Sequence, residues 1–149
     1  MLRDDINSAL KEAMKAGAAR RVSTLRLINA AILARETSGA ERTTLSDAEI
    51  RDVMGKMIKQ RQESLAIYEK AGRADLAAVE REEIEIISAY LPTQMSDLDA
   101  ASAISALMKE IEAETIKDMG RTMAALKQRF AGQMDFAKAG ALVKKLLAG

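Results

Sequence analysis

Apolar residues recur every three or four positions along almost the whole chain, the spacing that places side chains on one face of an α-helix. No stretch alternates apolar and polar residues as a half-buried strand does. Four such segments precede Pro92 and three follow it. The pattern therefore predicts an all-α protein, with a four-helix N-terminal domain at residues 1–92 and a small three-helix C-terminal domain at residues 93–149. The apolar stripes predicted for the first two helices are Leu2, Ile6, Leu10 and Met14, then Leu25, Ile28, Ile32 and Leu33.

Pro92 is the only proline, and it marks the boundary between the two predicted domains. A proline ends a helix and biases the residue before it toward an extended conformation. Ser96 follows as an N-cap of the next helix. Pro92, Thr93 and Gln94 are therefore predicted to form a hinge about which the two domains move.

Capping residues fix the starts of three other predicted helices. Ser46 and Glu49 have the spacing of a capping box and open the third helix. Asp118 is predicted to cap the sixth helix, and Asp135 precedes the seventh.

Two charged residues interrupt the apolar stripes of the third and fourth helices. Arg61 lies among Met57, Ile58 and Leu65, and Glu83 occupies the equivalent place on the fourth helix. The two helices should form an antiparallel hairpin, with Arg61 nearly as far before its turn as Glu83 lies after it. We expect the two to form a structural ion pair that fixes helix register, rather than a catalytic site.

Cysteine and histidine are both absent. Their absence removes thiolate chemistry, histidine-dependent triads and the usual zinc sites. No glycine-rich phosphate loop is present. We therefore predict no catalytic residues, no metal site and no cofactor, and catalysis by this chain alone is disfavoured.

The net charge is only +1, but basic residues dominate from Thr115 onward. Such a basic end suggests an anionic partner, although an ordinary solvated face explains it as well. Lys117 and Arg121 are expected at the start of the sixth helix, where backbone N–H groups add positive potential. The candidate RNA-binding residues are Lys117, Arg121, Lys138, Lys144 and Lys145. The few aromatic residues fall on apolar stripes, so any RNA recognition must rest on shape and phosphate contacts.

No window is apolar and long enough for a membrane helix, and the N-terminus lacks the pattern of a signal peptide. We therefore expect a cytoplasmic protein. Neither a membrane nor DNA is an expected partner.

Several short motifs, taken in order, resemble the GatB/YqeY family. They are Leu25-Arg26-Leu27-Ile28 with Ala30-Ala31-Ile32, Lys59-Gln60-Arg61 with Ser64, Gly72-Arg73-Ala74-Asp75-Leu76, Tyr90-Leu91-Pro92-Thr93-Gln94-Met95-Ser96, Asp118-Met119-Gly120-Arg121-Thr122-Met123, and Gly132 with Asp135. Each motif is weak alone, but their order and spacing cover nearly the whole chain. The chain looks like a stand-alone YqeY-type protein.

The resemblance implies an all-helical fold similar to the tail of the B subunit of glutamine-dependent aspartyl/glutamyl-tRNA amidotransferase. That tail helps to hold tRNA, and family-level labels mention carbon–nitrogen ligase activity with glutamine as amido donor. The matching basic position is Arg121, whereas Gln133 stands where the tail often carries lysine.

The resemblance and the basic end together predict a non-catalytic tRNA-interacting protein, acting alone or beside a tRNA amidotransferase or an aminoacyl-tRNA synthetase. One alternative is a helical protein–protein adaptor without RNA affinity. Another is an accessory subunit that contributes to catalysis only within a complex.

Overall fold

A computed structural model describes all 149 residues, and they form seven α-helices and no β-strand. The all-α prediction is therefore confirmed. The helices are α1 (Leu2–Ala16), α2 (Ala19–Glu36), α3 (Asp47–Lys70), α4 (Ala74–Ser88), α5 (Asp97–Glu110), α6 (Met119–Phe130) and α7 (Phe136–Ala148), with a short 3-10 turn at Ile116–Asp118. None of these helices has both the length and the apolar character that crossing a bilayer requires.

Backbone contacts divide the chain into two compact units, Met1–Pro92 and Thr93–Gly149. In the first unit α3 and α4 form a hairpin, and α2 is packed against all three other helices. Gly72 at the hairpin turn has a φ of 69°, a left-handed conformation that glycine adopts without steric cost. The core of this unit is built mainly from aliphatic side chains, including Ile6, Leu25, Ile28, Ile32, Ile50, Met54 and Ile87.

Two predicted core positions are wrong, because Met14 and Leu33 are both exposed. Each lies eight residues after a buried residue of its helix, Ile6 or Leu25, and eight residues at 100° each carry a side chain about 80° around the helix. In α1 the buried position is Ala13 instead, seven residues after Ile6 and only about 20° away from it.

The start of α3 has the predicted capping box. The Glu49 backbone N–H donates to Ser46 Oγ at 3.2 Å, and the Ser46 N–H donates to Glu49 Oε2 at 2.9 Å. These reciprocal bonds satisfy two of the backbone donors that a helix start leaves open. Sequence pattern alone was sufficient here because all the partners are local.

A buried carboxylate, Glu36, holds the segment between α2 and α3. It accepts a hydrogen bond from the Leu45 backbone N–H at 3.0 Å and bonds with the Arg3 guanidinium. The Leu45 N–H and then Arg3 hold the pKa of Glu36 below its ordinary value, against the opposing effect of burial. Glu36 thus ties the loop after α2 to the first turn of α1.

The second unit is a three-helix cluster around Ile104, Leu107, Leu126 and Val143. Ser96 caps α5 by accepting from the Asp99 N–H at 3.1 Å, and Asp135 caps α7 by accepting from the Ala137 N–H at 2.9 Å. The 3-10 turn lies against α6 and α7.

The three residues predicted as a hinge, Pro92, Thr93 and Gln94, are all exposed, and the boundary of the two units lies between Pro92 and Thr93. The Gln94 side-chain amide donates to the Gly132 carbonyl of the second unit. The Met95 backbone N–H donates to the Gln133 carbonyl at 2.9 Å.

Candidate nucleic-acid interface

Four of the five candidate RNA-binding residues are lysines, and all four are exposed. Three lie on α7, where Lys138 and Lys145 share a face about 10 Å apart along the axis and Lys144 lies about 100° further around. Lys117 belongs to the 3-10 turn rather than to the start of α6, so the predicted location of Lys117 is wrong. Lys138 Nζ lies 3.9 Å from Asp97 Oδ1, in a solvent-exposed pair, and the other three form no ion pair.

The fifth candidate, Arg121, is bonded to the protein itself. Its Nε donates to Asp118 Oδ1 at 3.0 Å, while Nη1 and Nη2 donate to the carbonyls of Ile111 at 2.6 Å and Glu112 at 3.1 Å. Those two carbonyls lie just beyond the end of α5, and Glu112 has a φ of 54°, which is unusual for a residue with a side chain. Arg121 therefore fastens the α5–α6 connection, which sequence analysis did not anticipate.

Asp118, which accepts from Arg121, also binds the backbone of this connection. Its carboxylate accepts from the backbone N–H groups of Thr115 at 3.0 Å and Glu114 at 2.8 Å. Asp118 lies at the predicted N-cap position of α6, but its side chain makes no hydrogen bond to that helix's backbone N–H groups. The Thr115 N–H, then the Glu114 N–H and Arg121 lower the pKa of Asp118 to about 2. Asp118 and Arg121 of the motif Asp118-Met119-Gly120-Arg121 thus bind the backbone of the loop that connects α5 to the 3-10 turn.

Arg129, the other arginine of this unit, is also occupied. Its Nη1 and Nη2 donate to the two carboxylate oxygens of Glu110 at 2.6 and 2.7 Å. Both arginines of the second unit therefore bind protein groups, and the solvent-facing positive charge is carried by lysines. Lys127 of α6 is a further exposed lysine of this unit, outside the residues that sequence analysis selected.

In the first unit the structure joins Arg61 to Glu83. Arg61 Nε donates to Glu83 Oε2 at 2.7 Å, Arg61 Nη1 donates to the Met57 carbonyl at 3.2 Å, and only 14% and 12% of the two side chains are exposed. Nearby Glu80 has one buried oxygen without a hydrogen-bond partner. Burial first, and then the Glu83 charge, raises the pKa of Glu80, while Arg61 opposes the rise.

Arg61 and Glu83 are paired with each other. No group of three or more acidic side chains is placed to hold a metal ion. The chemistry that the geometry does offer is attraction of anions by the lysines of the second unit.

An open groove between α2 and α3 was missed by the sequence analysis. Its volume is about 620 Å³, and it lies between the C-terminal half of α2 and the middle of α3. Its apolar floor includes Ala31, Ala34, Val53 and Met57. The available signal was a second set of apolar positions on α2, namely Leu27, Ala30, Ala31 and Ala34 at helical spacing.

Comparison with known proteins gives a family and two curated relatives. The model of the family described as YqeY-like protein matches residues 3–147. "Altered inheritance of mitochondria protein 41, mitochondrial" of Clavispora lusitaniae is 34% identical over 106 residues, covering 70% of this chain and 61% of that protein. The protein of the same name in Candida glabrata is 32% identical over 82 residues, covering 55% of this chain and 45% of that protein. The match therefore spans less than two thirds of either relative.

Proposed function

The chain belongs to the YqeY-like protein family, and we propose that it is a non-catalytic tRNA-interacting accessory protein. The contact surface in this proposal is the lysine set of the second unit, defined as Lys117, Lys138, Lys144 and Lys145. Its partner beside tRNA would be a tRNA amidotransferase or an aminoacyl-tRNA synthetase, in keeping with the resemblance to the amidotransferase tail. The proposal assigns the chain no catalytic step of its own.

The observation that carries the proposal is the different use of arginine and lysine in the second unit. Arg121 and Arg129 are bonded to protein oxygens, whereas the lysines stand in solvent with at most one long contact to a carboxylate. Lysine is a flexible point charge and is well suited to phosphates, whose contacts dominate nucleic-acid affinity. Arg121 is no longer a preferred contact, because three of its five N–H groups are occupied.

The test is a titration of fluorescently labelled bulk tRNA with the full chain at about 50 and 200 mM salt. Replacing Lys138 and Lys145 together with glutamine should weaken binding and reduce the slope of log K against log salt by about two units. Thermal stability should barely change, because exposed charges contribute little to folding.

A matched control replaces Lys11 and Lys15, two exposed lysines of α1, with glutamine. This variant loses the same charge and should bind tRNA as the wild type does. Equal losses in both variants would show that only net charge matters. A wild-type protein that does not bind tRNA even at low salt would refute the proposal.

We propose further that the two units are independent domains, four helices in residues 1–92 and three in residues 93–149, joined at Pro92-Thr93. The exposure of these two residues and the tethering of Gln94 support this boundary. Limited proteolysis should cut first next to Thr93 and leave two protease-resistant fragments. Cleavage starting elsewhere, or resistance at Thr93 equal to that of the helices, would contradict separate domains.

The compartment is also a proposal. The sequence suggests the cytoplasm, while the names of the two relatives describe mitochondrial proteins. We retain the cytoplasm for this chain on the sequence pattern alone, since the chain matches only part of each relative. Fractionation of cells of the native source, with detection of the untagged protein, tests this assignment.

A further inference from the structure

The exposed face of α2 carries a pattern that normally belongs to a buried helix face. Leu27, Ala30, Ala31 and Ala34 follow one another at i, i+3, i+4 and i+7. The opposite face, with Leu25, Ile28 and Ile32, already fills the core. Yet Leu27 is 43% exposed, and Ala30 and Ala34 are also exposed. A helix that is apolar on both faces is normally covered on both.

The groove beside this face has an apolar floor and a basic rim. Arg35, Lys56 and Lys59 line it together with one acidic residue, Glu63. Asp52, largely buried, holds Arg35 Nη1 at 2.8 Å and Lys56 Nζ at 3.4 Å. Counting Asp52, three positive charges and two negative charges surround the groove, a net excess of one positive charge.

We propose that this α2–α3 groove docks an amphipathic α-helix of a protein partner, whose apolar side chains enter the groove and whose flanking carboxylates face Arg35, Lys56 and Lys59. This interaction goes beyond the proposed tRNA role and lies in the other unit of the chain. A helix fits because the groove itself lies between two helices, and a helix can present anchors at i, i+3 or i+4, and i+7.

The small side chains of α2 favour this occupant. Ala30 and Ala34 are one turn apart, so a partner helix can approach the α2 backbone closely. Leu27 lies one turn further toward the start of α2 and extends the apolar strip beyond the groove. RNA fits less well, because the floor of the groove is apolar.

The test is a selection from a displayed library of amphipathic helices of about 18 residues, using the full chain as bait. The selected helices are tested again with Ala34→Glu protein as bait. Those that no longer bind should carry an excess of Asp and Glu beside their apolar anchors. The best helix, synthesised and labelled, should bind Ala34→Glu protein at least about tenfold more weakly than wild type. Ala78→Glu, which changes an exposed alanine of α4, should bind as wild type.

Charge reversal makes the test specific. The double variant Lys56→Glu with Lys59→Glu should bind the selected helix more weakly than wild type does. It should bind a copy of that helix more tightly when the Asp and Glu residues of the copy are replaced by Lys. Circular dichroism confirms that each variant is folded. The proposal fails if no selected helix depends on Ala34, or if those that do lack an acidic excess. It also fails if Ala34→Glu instead abolishes tRNA binding, or abolishes self-association measured by sedimentation, because the groove would then serve RNA or a second copy.

Discussion

Replacing Arg61 with leucine is expected to lower the free energy of unfolding by about 3 kcal/mol, since it leaves a largely buried carboxylate without its partner. Glu83 would retain only Arg20, whose Nη1 lies 4.0 Å away. Glu80 would also lose the one cation that opposes the rise of its pKa. The measurement is chemical denaturation of wild-type and variant protein at neutral pH.

The double variant Arg61→Leu with Glu83→Leu should return to within about 1 kcal/mol of wild type, because a buried ion pair can be replaced by apolar side chains at little cost. The control is Glu69–Arg81, a pair between the same two helices at 2.7 Å with both side chains about half exposed. Arg81→Leu should cost less than about 1 kcal/mol. Similar costs for Arg61→Leu and Arg81→Leu would show that burial of the first pair is unimportant.

The pH dependence provides a second measurement on the same variant. A carboxyl whose pKa is raised on folding contributes stability below its unfolded pKa, and that contribution is lost as the pH rises through its folded pKa. Glu80 has a raised pKa that Arg61 opposes. The deficit of Arg61→Leu relative to wild type should therefore shrink as the pH falls toward about 4.5. A deficit independent of pH would mean that lost packing, not charge, explains the effect.

Replacing Arg121 with alanine is expected to destabilise the second unit by about 2 kcal/mol, because one charged group makes three hydrogen bonds there. The variant leaves two carbonyls beyond α5 without their donor and removes the support for the strained Glu112 backbone. Sequence analysis had placed Arg121 only among the candidate RNA-binding residues, and the expected destabilisation follows from the hydrogen bonds that the structure shows. The measurement is thermal and chemical unfolding of the full chain.

Arg129→Ala is the matched control on the same helix. Arg129 is about as exposed as Arg121, but it contacts only the exposed side chain of Glu110, so its loss should cost less than about 1 kcal/mol. Acid provides an independent check. Asp118 has a lowered pKa of about 2, so its contribution is present above its ordinary value of 3.8 and is lost as the pH falls toward 2. In Arg121→Ala the pKa of Asp118 in the folded state should be less depressed, so this acid-induced loss should be smaller and should be complete at a higher pH. Equal destabilisation by the two arginine variants would contradict the assigned role.

The sequence by itself determined the parts of this protein that depend on local rules. Helical spacing gave the all-α class, Ser46 and Glu49 marked the start of α3, and Pro92 marked the break after α4. These features were predictable because each depends on residues within about one helical turn. Even the proximity of Arg61 and Glu83 followed from counting residues on either side of one short turn.

Only the tertiary structure decided which charges are available to a partner. In sequence Arg121 and Lys138 look alike, but the path of the α5–α6 connection brings two carbonyls to Arg121 and none to Lys138. The same holds for the second apolar face of α2. Its exposure to solvent could be recognised only from the positions of the neighbouring helices. These hydrogen bonds and this exposure depend on groups that are distant in the chain. Helical periodicity does not indicate which distant group lies next to a given residue.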